Sequence, residues 1–264
     1  MNEFSEKDAR IMAVTNQKGG VGKTTTSVNL AASLASAKRK VLLIDLDPQG
    51  NATMGSGIDK TGLEYTGYDV LAGNKKLSDI LVEAPLCGYD LAPGNSDLTG
   101  AEVALLQEKV RGDRLRNAIK PVRSRYQYIF IDCPPSLNML TVNALVAADT
   151  VIIPIQCEYY ALEGLTALLE TIENIRRYYN PQLQIGGLLR TMYDARNNLS
   201  SQVSEQLLEH FGDKVYKTVI PRNVRLAEAP SHGLPVIKYD RTSRGAVAYL
   251  NLAGEMITRE KQAA

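Results

Sequence analysis

The run TNQKGGVGKTTT, residues 15–26, packs three glycines, two lysines and a block of threonines into one short stretch. Gly19, Gly20 and Gly22 can take up positive φ and bring successive backbone N–H groups against phosphate oxygens, and a helix starting just after them adds its partial positive charge. Lys23 would then bridge the outer phosphates of a nucleoside triphosphate, with the Thr24 hydroxyl on Mg²⁺. The nucleotide-binding set read here is Lys18, Gly19, Gly20, Val21, Gly22, Lys23, Thr24 and Thr25, with ATP and Mg²⁺ as the cofactors. A standard phosphate-binding loop reads G-x-x-x-x-G-K-[ST], which asks for glycine where this chain has Gln17. An extra lysine, Lys18, stands just before the glycines. The alternative for the whole run is a glycine-rich turn ahead of a helix.

Two carboxylate sites follow in the right order. VLLIDLDPQGN ends an apolar run with Asp45 and Asp47, and YIFIDCPPS ends another with Asp132 before a Pro-Pro turn. Open α/β sheets bind ligands beyond the carboxyl ends of their strands, where all three aspartates would project. Asp45 and Asp132, with Thr24, are the expected metal-holding residues, Asp132 acting through water as a Walker B aspartate does. A lone carboxylate at a strand end is often only a turn former or helix cap. Three in register with a phosphate loop point to metal-assisted hydrolysis.

The loop amides and Lys23 already neutralise one side of a triphosphate, so the Lys18 ammonium is read as spare within its own subunit. Its economical use is in trans: two subunits facing each other across two nucleotides, each Lys18 meeting its neighbour's phosphates, so that ATP bridges a symmetric homodimer. The alternative is a solvated surface lysine.

These residues need a scaffold. Apolar runs at 11–15, 41–45, 128–132, 151–155 and 185–189 read as buried strands, alternating with helical patterns at 23–37, 138–147, 159–179, 199–211 and 243–258. That order predicts a mostly parallel twisted sheet with helices on both faces, a single α/β domain over 11–258 between a polar tail at 1–10 and a short tail at 259–264. The stretch 51–108 reads as an elaboration of the sheet, with helical pieces near 67–72 and 78–82 and a strand near 89–92.

At 264 residues with 44% hydrophobic content the chain can bury a substantial core. A polar start and the lack of a long apolar run argue for a cytoplasmic protein without a membrane span. Cys87, Cys133 and Cys157 have no paired spacing and read as buried free thiols. A net charge of +1 names no partner, so any nucleic-acid surface must be local.

KGGVGKTT is the deviant Walker A box. With DLDPQGNAT, IDCPPS, PIQCEYYALEGL and IPRNVRLAEAPSHGLPV, the chain closely resembles the ParA/Soj chromosome-partitioning ATPases of the ParA/MinD group from about Ile11 to about Gly254. The resemblance implies a P-loop NTPase fold and a Mg-dependent ATP hydrolase, slow without its partner. It also implies an ATP-dependent sandwich dimer in which Lys18 reaches across. Asp47 would position the attacking water, which with Lys18 and Lys23 completes the catalytic set. Pro221, Arg222 and Asn223 would hold adenine. The ATP-bound dimer would coat double-stranded DNA without sequence preference through Arg196 and Arg225, and so be nucleoid-associated. A ParB-type centromere-binding protein would stimulate hydrolysis.

Charge counts alone are less decisive. Residues 190–244 carry nine Lys/Arg and six Asp/Glu, and 108–126 carry seven and two. Either stretch can be a solvated face, and 108–126 can be a second DNA-facing strip. Two other readings share the fold: a MinD-like membrane-surface ATPase, and a metabolic or cluster-handling ATPase. The first wants a basic amphipathic C-terminal helix, and the tail AVAYLNLAGEMITREKQAA carries only Arg259 and Lys261 beside Glu255 and Glu260. The second wants paired cysteines.

Overall fold

The computed structural model describes residues 9–107, 112–159 and 161–263. Its strands are β1 (Arg10–Val14), β2 (Val41–Asp45), β3 (Val82–Ala84), β4 (Tyr89–Ala92), β5 (Tyr128–Asp132), β6 (Thr150–Gln156) and β7 (Gln184–Thr191). They form one sheet in the order β3-β4-β2-β5-β1-β6-β7. All neighbours run parallel except β3, which is antiparallel to β4.

Side chains alternate across a strand, and the apolar runs segregate accordingly into two cores. Ile11, Ala13, Ile129, Ile131, Val151 and Ile153 face one layer, where the helices Met139–Ala147, Ala161–Tyr178 and Asn198–Phe211 contribute Leu140, Leu165 and Leu207. Met12, Val14, Leu43, Phe130 and Ile152 face the other, against Leu30 and Leu34 of the helix Lys23–Ser36 and Tyr249, Leu252 and Met256 of the helix Arg244–Ala263. Strands buried on both faces need no polar alternation, which is why the runs read as continuous.

Differences from the sequence reading lie where signals are short. β3 has three residues and was not expected; β4 turns back onto it through Gly88 at φ 81°. Helices at Asn51–Gly55, Leu98–Gln107 and Arg114–Ile119 also went unread. The last helix runs on to Ala263, beyond 258, because Arg259 anchors it by donating to the carbonyls of Asp213 and Val215 at 2.8 Å each. Residues 108–111 of the basic strip, and 1–8 of the N-terminal tail, lie outside the described residues.

One consequence of strand order fixes the site. β1 lies between β5 and β6, and the chain leaves it towards β2 on the far side of β5. Strand order therefore reverses at β1, and the crevice at its carboxyl end is where such sheets take ligands. Asp45 and Asp132 are direct register partners there, with Val14 on the other side of Asp132.

Candidate nucleotide-binding site

The loop after β1 enters the helix Lys23–Ser36 through Gly22, the N-cap residue, at φ 86° and ψ 30°. No side chain caps this end. The first N–H groups of the helix therefore stay available to an anion, and Thr26 N donating to Gly22 O at 2.9 Å is the first helical bond. Gly20 also has positive φ, at 76°, whereas Gly19, expected to share this geometry, does not. A Cβ added at Gly19 or Gly20 would meet nothing within 4 Å, so this part of the loop faces open space. An uncapped helix end behind an open glycine turn fits a phosphate chain.

Lys23 is 7% exposed, and its Nζ donates to Lys18 O at 3.3 Å. Burial lowers its pKa, while Asp132, Cys133 and Asp47 oppose that shift by favouring the charged ammonium. Asp132 is fully buried, and its carboxylate accepts from Thr24 Oγ1 at 2.8 Å and Ser27 Oγ at 2.7 Å. Asp45, also fully buried, accepts from Thr53 N at 2.8 Å, Thr53 Oγ1 at 2.7 Å and Asp47 N at 3.1 Å. Burial pushes Asp45 up to about 6 and Asp132 up to about 7, the latter raised further by Asp45. Such carboxylates gain most from a cation. Among the described residues no three His, Cys, Asp or Glu side chains converge to hold a metal by themselves. Thr24, Asp132 and Asp45 offer hard oxygen donors, the chemistry that suits Mg²⁺ shared with phosphate oxygens. Asp47 is 7% exposed and accepts from Gln49 N at 2.9 Å, leaving a carboxylate oxygen for water beside the loop.

Lys18 is the point at which the sequence reading needs correction. Its ammonium is not spare: Nζ donates to Glu158 Oε2 at 2.6 Å, and both side chains are partly exposed. Glu158 follows β6, which neighbours β1, so the sheet order brings it to the rim of the loop. Gln17, in the place of the consensus glycine, has a buried Nε2 without a hydrogen-bond partner.

The end of β7 reaches the same loop. Thr191 Oγ1 donates to Val21 O at 2.7 Å. Met192 then takes a left-handed φ of 48°, unusual for a non-glycine residue, and Tyr193 N donates to Ile220 O at 3.0 Å. Tyr193 also bridges Pro221. Pro221, Arg222 and Asn223 thus connect to the phosphate loop through the end of β7, and the Asn223 Oδ1 is buried and unpartnered. Glu158 lay within the run PIQCEYYALEGL without being singled out, and Thr191 carried no signal, since their contacts depend on strand order.

Arg196 and Arg225 are both exposed and both paired. Arg196 grips Asp194 with two bonds, at 3.0 and 2.8 Å. Arg225 meets Glu228 at 2.8 Å and Asp240 at 3.3 Å. The positive charge of Arg244 reaches Asp194, while the residue after it, Gly245, lies against Leu226. Arg244 is thus within electrostatic reach of Asp194, the partner of Arg196, and was not singled out in the sequence. The three cysteines are buried and free.

A family model described as an AAA domain matches residues 9–185. Over 260 residues the chain is 53% identical to the chromosome partitioning protein ParA of Caulobacter vibrioides, covering 98% of this chain and 97% of that one. Over 247 residues it is 55% identical to the sporulation initiation inhibitor protein Soj of Bacillus subtilis, covering 94% and 98%. Among solved structures, the cobyrinic acid a,c-diamide synthase of Mycobacterium smegmatis with bound ATP analogue and magnesium superimposes with a TM-score of 0.85 at 37% identity over 97% of each chain. The septum site-determining protein MinD of Pyrococcus horikoshii complexed with Mg-ADP gives 0.76 at 28%, covering 94% of this chain and 95% of that one. With its phosphate loop, aspartates and sheet order all in place, this chain belongs to the ParA/Soj family of partitioning ATPases.

Proposed function

We propose that this protein is a Mg-dependent, ATP-driven switch for chromosome or plasmid partitioning. It dimerises across two ATP molecules, binds double-stranded DNA without sequence preference, and is reset by hydrolysis stimulated by a ParB-type centromere-binding protein. It works in the cytoplasm on the nucleoid. The observation that carries this reading is the convergence of Lys23, Thr24, Asp45, Asp47 and Asp132 around an open glycine turn with a second lysine, Lys18, at its rim. Bound Mg²⁺ would supply charge neutralisation on the phosphates.

The roles divide by position. Lys23, Val21 and the loop amides hold the phosphate chain from inside the subunit, with Thr25 in the first helical turn behind them. Asp47, beside the loop with a free carboxylate oxygen, orients the attacking water. Lys18 exchanges Glu158 for a partner's phosphates when a second subunit approaches. Pro221, Arg222 and Asn223 hold the base. Arg196 and Arg225 face DNA phosphates, and exchange their carboxylate partners for phosphate when DNA arrives.

The last helix favours this over a membrane-surface role. Its apolar residues Tyr249, Leu252, Ala253 and Met256 are buried against the body, and no described helix is long and apolar enough to span a bilayer. The higher identity to named partitioning proteins than to the cobyrinic acid enzyme favours it over a metabolic role.

The test is DNA co-sedimentation without nucleotide and with ADP, ATP or a non-hydrolysable ATP analogue. The expected result is retention with ATP and the analogue alone; equal retention in all four conditions would refute the switch.

A further inference from the structure

The buried carboxylate of Asp132 is gripped by two hydroxyls of a single helix. Its Oδ2 accepts from Thr24 Oγ1 at 2.8 Å and its Oδ1 from Ser27 Oγ at 2.7 Å. Thr24 belongs to the phosphate-loop consensus; Ser27 does not, and nothing in that motif asks for a hydroxyl there. Three residues apart, the two lie one above the other on the face turned to the end of β5. Their surroundings differ. Thr24 is half-buried at the mouth of the loop, whereas Ser27 is fully enclosed. Ser27 has a second acceptor in reach, Lys23 O at 3.1 Å, the usual back-bond of a helical serine. The Asp132 oxygen is the nearer of the two, and the shorter contact is the better hydrogen bond.

We infer that Ser27 is a positioning residue for the magnesium side of this site. By fixing Asp132 through Oδ1, it keeps Oδ2 turned towards Thr24 and the metal position. When the Thr24 oxygen is drawn to a cation, Ser27 remains the anchor that the cation does not compete for. Removing its hydroxyl leaves Oδ1 enclosed without a donor and the carboxylate free to rotate away from the ion. The inference rests on the reading of this loop as a magnesium-nucleotide site.

A serine that merely supports helix packing would behave differently, because its loss would weaken nucleotide binding with or without metal. The experiment therefore titrates a fluorescent ATP analogue in EDTA and then against Mg²⁺, for wild type, S27A, S27C and S27T. Thermal unfolding of each ligand-free protein is measured alongside. In S27A and S27C, metal-free binding should stay within about two-fold of wild type, while the Mg²⁺ concentration giving half of the metal-dependent gain rises roughly ten-fold, as for loss of one hydrogen bond to a charged group. S27T, which keeps the hydroxyl, should return towards wild type. S27C keeps the test open should S27A fail to fold. An unchanged Mg²⁺ requirement in S27A and S27C, or an equal loss in EDTA, would overturn the role of Ser27 alone. Wild-type binding indifferent to Mg²⁺ would overturn the metal site, and this inference with it.

Discussion

Lys18 and Glu158, 140 residues apart in sequence, meet in a 2.6 Å ion pair at the rim of the phosphate loop. The pair is partly exposed, which limits its worth to about 0–1 kcal/mol. A triphosphate presented by a second subunit carries more charge than one carboxylate and can displace it. Lys18→Ala should therefore still bind ATP but stay monomeric, whereas Lys23→Ala should lose nucleotide binding itself. Light scattering with ATP reads the first outcome; a normal Lys18→Ala dimer would sink the trans-lysine reading.

Asp47 hangs beside the loop with its Oδ1 accepting from the Gln49 amide at 2.9 Å. A carboxylate that orients water acts at the transition state, so Asp47→Ala should bind ATP normally while turnover falls by about 10²-fold or more. Steady-state hydrolysis with DNA and partner, set against nucleotide affinity, separates the two effects. Normal turnover would pass the role to Asp45.

Without metal, Asp45 and Asp132 hold their protons to about pH 6 and 7 because they are buried. In the unfolded chain both titrate near 4, roughly the ordinary aspartate value. Between these limits the folded state binds more protons than the unfolded one, so stability is greatest below the unfolded value and is lost as pH rises through the folded ones. The melting temperature of the nucleotide-free, metal-free protein should fall more between pH 5 and 8 in wild type than in Asp132→Asn, by about the share of one buried carboxylate. Superimposable profiles from differential scanning calorimetry would contradict this.

Arg225 is held by Glu228 and Asp240, both contacts being solvent-exposed. If it turns to phosphate in an ATP-bound dimer, each contact releases counterions, and Arg225→Ala deletes two contacts at once. The slope of log K against log salt should then change by nearly two units, at about 0.9 per phosphate. A salt titration of ATP-dependent DNA binding measures it. An unchanged slope would redirect attention to Arg244 and to the basic strip after residue 112.

The strands and the phosphate loop were legible because their signals are local: unbroken apolar runs, glycines at fixed offsets, an aspartate at the ends of β2 and β5. Asp45 and Asp132 could be named from sequence, but not that they are register partners, since that depends on β5 inserting between β1 and β2. The partners of Glu158 and Thr191 were hidden in a similar way, being set by the placing of β6 and β7 to one side of β1. The short strand β3 failed for another: three residues carry no usable period. Ser27 sat in plain view, and its partner 105 positions away in Asp132 did not.

The borders of the sheet have a consequence for assembly. On one side β3 offers only three residues of edge backbone. On the other, β7 is already occupied: Tyr216 N donates to Leu188 O at 2.9 Å and Ile220 N to Arg190 O at 2.9 Å, so the stretch after Lys214 runs along it like a selvedge. A sheet hemmed in this way gives a neighbouring chain little backbone to pair with. The proposed dimer would then have to form through side chains on the faces of its copies, where contact can be made conditional on what lies between them, and not by the unconditional stitching of strand to strand.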